Sequence, residues 1–179
     1  NGELPDNKEK FEFSRKLRKH ANIHEDMKRF FDGFPLNSHP MATLSSMVTA
    51  LSAFHPDSTN QDIDIADDNI IKILAKVKTI AAYSYRKYNG LPFIYPDQDL
   101  NYVENFLHMM FSDSQEEYHA DPILVDALNL LLILHADHEQ NCSTSTVRMS
   151  GSSLSNMFGA ISSGIAALWG PLHGGANQA

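Results

Sequence analysis

The chain has 179 residues, of which 42% are hydrophobic and 20% are charged, and its formal net charge is −8. This apolar content is sufficient for the core of one domain, and it excludes a disordered or low-complexity chain. The acidic balance argues against nucleic acid or an anionic membrane as the main partner, because both require clustered Lys and Arg.

Helical spacing of apolar residues dominates the sequence, and residues that start and stop helices recur along it. Asp6 followed by Glu9 is typical of a capping box, which predicts a first helix that ends near His20. Ser38 is expected to cap a second helix over residues 39–54, because the proline in its first turn is tolerated there.

A third, long helix is predicted from about Ile65 to Tyr88. Asn89-Gly90 supplies the left-handed stop that commonly ends a helix, and Pro92 prevents its continuation. Strand patterns are almost absent, and residues 91–96 are the one short extended candidate. The sequence therefore predicts an all-α, multi-helical fold.

The most apolar helix is predicted to start at Asp121-Pro122 and to reach His135. Asp126 and Asn129 interrupt its apolar run, which is too short to span a bilayer, so we predict a buried core helix and no membrane partner. No secretory signal opens the chain. The one cysteine, Cys142, excludes an internal disulfide and suits a reducing compartment such as the cytoplasm.

Small residues recur at every fourth position in the last third of the chain and predict a ridge along one helix face. The ridge consists of Gly151, Ser155, Gly159, Ser163 and Ala167. A looser set of small residues lies on the helix over residues 39–54. Ridges of this kind let helix backbones approach closely. The contact could lie inside one subunit or between two subunits, and the pattern leaves both open.

Two histidines at the end of the apolar helix, His135 and His138, are three residues apart and share a helix face. Three hypotheses fit this spacing. Together with Asp137 or Glu139 they could bind zinc, although the spacing is not that of a strong zinc motif. They could instead cap the helix end, or they could join neighbouring amide donors in binding an anionic substrate.

A third histidine, His173, is followed by two glycines, Gly174-Gly175, and is preceded by a helix stop at Gly170-Pro171. Glycines leave the backbone bare, so a ligand or another segment can come close to the imidazole. If a helix begins here, its positive end disfavours the protonated ring and favours a neutral hydrogen-bond donor. Plain tight turns also use such glycines, so the motif alone does not decide between the two.

Five segments occur in a characteristic order along the chain. They are SHPM at 38–41, PFIYP at 92–96, NFLHMMF at 105–111, HADHEQNCSTSTVR at 135–148 and WGPLHGGAN at 169–177. With these segments the chain resembles the bacterial-type citrate synthases over essentially its whole length.

The resemblance implies an all-α protein that is a homodimer or a hexamer, with a large and a small helical domain in each subunit. The family condenses acetyl-CoA with oxaloacetate and hydrolyses the resulting citryl-CoA; acetyl-CoA is a substrate, and no cofactor or metal is implied. Residues 1–179 are then part of the large domain, without the N-terminal region and without the C-terminal part that includes the small domain. The small-residue ridges are expected at the dimer interface.

The resemblance also implies roles for individual residues. His173 is expected to be the catalytic donor to the thioester carbonyl as it becomes an enol, and Ser143 is expected to support it. His138 resembles the family's oxaloacetate-binding histidine, with His135 and Asn141 beside it. All three histidines should face one cavity. The family's catalytic carboxylate, second histidine and arginines lie beyond this stretch, so the piece alone is predicted to be inactive.

Two alternatives stay open. The related 2-methylcitrate synthases share the fold and the His-Gly-Gly motif but prefer propionyl-CoA. The isolated piece could also be a non-catalytic helical dimerisation module. Some members of the family are inhibited by NADH and carry a cysteine in the loop after the Met-Met-Phe segment. Residues 112–119 contain no cysteine, which argues against NADH regulation.

Overall fold

The computed structural model describes residues 3–60, 62–113, 118–136 and 139–178. In these ranges the regular structure is helical throughout, which confirms the all-α prediction. The α-helices are α1 (Asn7–Lys19), α2 (Glu25–Asp32), α3 (Pro40–Phe54), α4 (Ile63–Tyr88), α5 (Tyr102–Phe111), α6 (Pro122–Leu134), α7 (Cys142–Gly151), α8 (Met157–Leu168) and α9 (Gly174–Gln178). A single 3₁₀ turn, Pro56–Thr59, follows α3.

The predicted helix starts at Asp6 and Asp121 are confirmed by side-chain caps. The amide of Glu9 donates to Asp6 Oδ1 over 2.7 Å, and the amide of Asp6 donates to Glu9 Oε2 over 2.8 Å, which completes a capping box. At α6 the amide of Ile123 donates to Asp121 Oδ1 over 2.9 Å. In both places a carboxylate satisfies amides that lack a partner within the helix.

The predicted cap of α3 is wrong by one residue. His39, and not Ser38, occupies the cap position, and its ring Nδ1 accepts a hydrogen bond from the amide of Met41 at 3.2 Å. His24 caps α2 in the same way, with Asp26 as the donor at 3.1 Å. An imidazole nitrogen thus takes the part that a serine or aspartate oxygen usually plays.

Helix α4 is the centre of the structure and contacts α1, α3 and α5. It begins at Ile63, two residues before the predicted start, and ends at Tyr88 as expected, with Gly90 at a φ of +67°. Its buried apolar side chains join those of α2, α3, α5 and α8 in one core. This core contains Met27, Phe31, Met47, Val48, Leu51, Ile73, Ile80, Tyr83, Met109 and Phe158.

Buried polar residues fix α4 to the segments around it. Lys76 Nζ donates to the main-chain oxygens of His20 and Asn22 over 2.9 and 2.5 Å, and Thr79 Oγ1 donates to that of Ala21 over 2.7 Å. At the other end, the buried Arg86 donates to three main-chain oxygens. These belong to Pro92, Met110 and Ser112. The polar side chains of α4 therefore hold the segment between α1 and α2, the segment that follows α4 and the end of α5.

The prediction of a buried core helix at α6 is wrong for this chain. Val125 is buried, but Ile123 is 76% exposed and Ile133 and Leu134 are each 62% exposed. Within the described residues α6 packs mainly on α5, through the small cluster of Val103, Leu107 and Val125. The described part of the chain supplies no second surface to cover the remaining apolar side chains, so they face outward.

The predicted single ridge of small residues is divided by a turn. Residues 152–156 separate α7 from α8, so Gly151 and Ser155 do not lie on the helix that carries the other three. The small residues of α8 pack inside the chain. Ser162 Oγ donates to the main-chain oxygen of Ser45 over 2.7 Å and lies 2.7 Å from Thr49 Oγ1. Close packing of α3 on α8 is thus intramolecular, and a role of the ridges in a dimer stays a prediction.

The helices formed by the described residues have at most 26 residues. Among them, no helix combines the length and the apolar composition that a membrane crossing requires.

Candidate active site

The N-terminus of α7 brings together two of the residues that the sequence singled out. Asn141 caps this helix, and its Oδ1 accepts a hydrogen bond from the amide of Thr144 at 3.0 Å. Ser143 follows in the first turn and points toward α8. The cap fixes where α7 begins, and it thereby fixes the position of Ser143.

Ser143 contacts His173, although the two residues are 30 positions apart. Ser143 Oγ lies 2.9 Å from His173 Nε2, and both side chains are half-buried. The same oxygen lies 2.9 Å from the main-chain oxygen of Gly164 in α8. The structure therefore places the serine, the imidazole and a helix carbonyl in one chain of polar contacts.

The single hydroxyl proton of Ser143 can serve only one of these two contacts. If it goes to His173 Nε2, a neutral ring carries its own proton on Nδ1 and can donate to a ligand there. If it goes to Gly164, Nε2 carries the proton and donates to the serine. The carbonyl of Gly164 can only accept, so its 2.9 Å contact with Ser143 Oγ fits the second arrangement in the structure as it stands.

The loop that carries His173 is folded tightly against the end of α8. The main-chain oxygen of Gly170 accepts hydrogen bonds from the amides of His173 and Gly175, over 3.0 and 3.2 Å. A Cβ atom at position 174 would lie 2.2 Å from the main-chain oxygen of Leu168. Glycine is required at 174 because another segment of the chain, the last turn of α8, occupies the space of a side chain.

A second glycine, Gly164, was not singled out by the sequence and is also constrained, here chiefly by a side-chain methyl group. A Cβ atom there would lie 2.5 Å from Val147 Cγ2 and 3.3 Å from the main-chain oxygen of Ser143. The ridge of small residues predicted from the sequence includes positions 159, 163 and 167. Position 164 is not one of them, so the pattern did not indicate Gly164. Gly164 lets α7 approach α8 closely enough for Ser143 to reach both neighbours.

An open groove of about 370 Å³ lies between α7 and α8 beside this contact. Its apolar lining comes from Val147, Ile161, Ile165 and Leu168, and Ser143, Thr144 and Arg148 add polar atoms. The groove reaches the serine that contacts His173.

His135, the next predicted site residue, lies at the exposed end of α6. It is the C-terminal cap of this helix, and its Nδ1–H donates to the main-chain oxygen of Leu131 over 2.7 Å. Asp137 and His138 lie outside the described residues. The prediction that His135, His138 and His173 face one cavity therefore stays a prediction. Among the described residues, to which His138 does not belong, no group of three or more His, Cys, Asp or Glu could hold a metal ion.

The whole chain, residues 1–179, matches the family model described as citrate synthase, C-terminal domain. Citrate synthase 1 of Mycobacterium tuberculosis is 58% identical over 179 residues, which is 99% of this chain and 42% of that protein. Citrate synthase of Corynebacterium glutamicum is 54% identical over 180 residues, which is 100% of this chain and 41% of that protein. The chain spans less than half the length of these curated relatives.

Solved structures agree with the sequence comparisons. The citrate synthase of Pyrobaculum aerophilum superposes with a TM-score of 0.88 at 34% identity, covering 99% of this chain and 45% of that one. A second neighbour is the citrate synthase of Thermoplasma acidophilum in ternary complex with carboxymethyl coenzyme A and oxaloacetate. It has a TM-score of 0.87 at 29% identity and covers 98% of this chain and 44% of that one.

The all-helical architecture and the coverage of every residue by one family model define the class of protein. The chain belongs to the citrate synthase family, which confirms the resemblance drawn from the five sequence segments.

Proposed function

We propose that this chain is part of a citrate synthase that condenses acetyl-CoA with oxaloacetate to form citrate and CoA. The family assignment over all 179 residues supports the reaction. The single observation that supports the site is the 2.9 Å contact between Ser143 Oγ and His173 Nε2, because it orients an imidazole at a tight glycine loop. Residues 1–179 then contribute a part of the large domain, and other parts of the protein complete the active site.

In this proposal His173 is the hydrogen-bond donor to the thioester carbonyl of acetyl-CoA. Removal of the α-proton places negative charge on that carbonyl oxygen, and a fixed donor stabilises the charge as it develops. In the substrate complex the Ser143 hydroxyl is proposed to turn from Gly164 to Nε2, so that the neutral ring carries its proton on Nδ1 and this N–H faces the oxygen. The main-chain bonds at Gly170 fix the loop, so little reorganisation is needed during the reaction.

Oxaloacetate is proposed to bind at His138, with His135 and Asn141 nearby. Because Asn141 Oδ1 accepts from Thr144, a bond from Asn141 to the substrate would come from its amide nitrogen. The α-proton must be removed by a carboxylate, and the two substrate carboxylates require cationic partners. These groups are proposed to come from outside residues 1–179. Asp137 and Glu139 are not assigned to that work.

Substitutions at the contact test the proposal in the complete enzyme. His173→Ala should lower kcat by about 10³-fold or more, and Ser143→Ala by roughly 10²-fold, since positioned donors typically contribute 10²–10⁴. Ser145→Ala is the control, because Ser145 is an exposed serine on the same helix turn. Citrate formation measured by CoA release is the readout. Normal turnover in His173→Ala would reject the assignment.

Two further measurements refine the proposal. The 179-residue chain alone should form no citrate at any substrate concentration.

Rates of the complete enzyme with acetyl-CoA and propionyl-CoA should differ in favour of acetyl-CoA. One methylene changes discrimination by only about 1–3 kcal/mol, so a reversed preference would reassign the enzyme as a 2-methylcitrate synthase.

We also propose that the chain associates with a second copy, as a homodimer or within a hexamer in the cytoplasm. The exposed apolar face of α6 supports association, because patches of this kind mark interaction sites. For the isolated piece this makes a helical dimerisation module the second candidate function. Sedimentation velocity of the 179-residue chain should show a dimer, and a purely monomeric species at high concentration would exclude this candidate.

A further inference from the structure

A ring contact ties the start of α3 to the loop that carries His173. The ring centroids of His39 and Trp169 are 4.7 Å apart, and the ring planes meet at 24°. His39 caps the N-terminus of α3, and Trp169 is the residue that ends α8. Trp169 precedes His173 by four residues. The stack therefore joins a fixed helix end to the proposed catalytic loop.

The imidazole of His39 is itself held in place. Its Nδ1 accepts the amide of Met41 at 3.2 Å, which fixes the orientation of the ring. Helix α3 is in turn fixed to α8 through the contacts of Ser162 with Ser45 and Thr49. His39 thus presents a ring face of defined position to Trp169.

The segment from Trp169 to His173 holds these two residues at a fixed separation, because its backbone is folded into consecutive turns. The amide of Gly170 donates to the main-chain oxygen of Ala167 over 3.1 Å, and the amide of His173 donates to that of Gly170 over 3.0 Å. A Cβ atom at Gly174 would meet α8, so the loop has no room to shift in that direction. Movement of Trp169 would therefore move the backbone of His173.

We propose that His39 is a positioning residue for His173 and that it acts through its stack on Trp169. The proposal rests on the proposed function, since it assigns His39 to the geometry of that site. Ser143 fixes the His173 ring from α7, and the His39–Trp169 stack fixes the His173 backbone from α3. Two anchors from different helices are needed because a misplacement of about 1 Å can cost about 10²-fold in rate.

Two variants at position 39 separate the stack from the helix cap. His39→Asn keeps a side chain that caps helices well but removes the ring. His39→Phe keeps an aromatic ring for Trp169 but removes the acceptor for the amide of Met41. In the complete enzyme, His39→Asn should lower kcat about tenfold with the KM for oxaloacetate within about twofold. His39→Phe should keep kcat within about twofold while its Tm falls by about 3 °C.

His24 provides a matched control in another part of the chain. It also caps a helix through Nδ1, and its ring lies 5.0 Å from the ring of Phe54. His24→Asn makes the same chemical change as His39→Asn in a similar setting. It should leave kcat within about twofold of the wild type, because it does not contact the His173 loop.

Fluorescence reports the stack independently of activity. Trp169 is the one tryptophan of the 179 residues, and its signal in the complete enzyme is isolated by difference from a Trp169→Phe variant. His39→Asn should change this emission, and His24→Asn should not.

A changed emission with unchanged kcat in His39→Asn would overturn the proposal. So would a loss of kcat in His39→Phe together with normal kcat in His39→Asn, since that pattern would implicate the cap. A wild-type enzyme that forms no citrate would instead refute the proposed function, and the positioning role with it.

Discussion

Helices α4 and α6 show opposite relations between composition and burial. α4 carries lysine, arginine, threonine and asparagine side chains that are buried, among them Lys76, Lys78 and Arg86. α6 is nearly all apolar, yet Val125 is its one buried residue. In this chain the polar helix lies inside and the apolar helix lies outside.

The difference teaches that burial depends on the partners a helix meets. α4 is surrounded by segments whose main-chain oxygens accept from its polar groups, so burying those groups leaves few of them unsatisfied. α6 meets one neighbouring helix along one edge, and its remaining apolar surface lacks a covering element among the described residues. Three sets of substitutions test this comparison, beginning with the largest expected effect.

Arg86→Met should cost the most stability. The guanidinium of Arg86 is 2% exposed and donates to three main-chain oxygens, so its loss leaves buried acceptors without donors. We expect the free energy of unfolding to fall by about 3 kcal/mol or more. Lys87→Met is the control, because the neighbouring Lys87 is partly buried and its ion pair of 3.6 Å is with Asp32, whose side chain is 79% exposed. Its expected cost is below about 0.5 kcal/mol in the same urea titration.

Lys76→Met and Lys78→Met should have opposite signs. Burial lowers the pKa of both lysines to about 8. Lys76 Nζ donates to two main-chain oxygens, whereas Lys78 Nζ lacks a hydrogen-bond partner in the described structure and lies 4.5 Å from the ring centroid of Tyr102. Near pH 7 we expect Lys76→Met to destabilise the chain and Lys78→Met to stabilise it, each by on the order of 2 kcal/mol.

The pH dependence identifies the cause of the Lys78 effect. With a pKa of about 8 in the folded state and an ordinary value of 10.5, the unfolded chain binds more protons between these two values. The contribution of Lys78 to stability therefore becomes more favourable as pH rises from about 8 to 10.5. The advantage of Lys78→Met should be full below pH 8 and should vanish near pH 10.5. An advantage that did not change with pH would point to packing instead.

Polar substitutions on the outer face of α6 should have the smallest effect. Ile123→Gln and Ile133→Gln replace side chains that are 76% and 62% exposed in a single copy, so each should change the stability of the 179-residue chain by less than about 0.5 kcal/mol at concentrations where it is monomeric. Ile80→Gln is the matched substitution in α4, where the side chain is fully buried, and it should cost about 3 kcal/mol or more. A large loss in the α6 variants would show that α6 is covered in solution.

Capping and helix-stop motifs in the sequence predicted those helix ends that depend only on adjacent residues. Asp6 with Glu9, Asp121 with Pro122, and Asn89 with Gly90 each define a helix end without any help from the rest of the fold. Helices α2 and α5 were not predicted. Yet α5 begins with a capping box formed by Asn101 and Glu104, a pattern the sequence does contain.

Features that depend on distant residues were beyond the sequence patterns. The exposure of α6 depends on which other surfaces of the chain pack against it. The hydropathy of α6 itself carries no information about those surfaces. The histidine caps at His24 and His39 use a residue type that is rarely counted among helix caps. In the candidate site, the family motif pointed to Ser143 and His173, but the requirement for Gly164 appears only when α7 and α8 are placed side by side.

The close approach of α7 to α8 at Gly164 affects how the activities of many single substitutions should be interpreted. A side chain at this position must displace Val147 or wedge α7 away from α8, and a wedge would pull the serine hydroxyl off the imidazole while both of those residues stay unchanged. In a deep mutational scan, such substitutions should lose turnover together with changes at the serine, even though they sit on a helix interior. A residue that does no chemistry would then score like one that does.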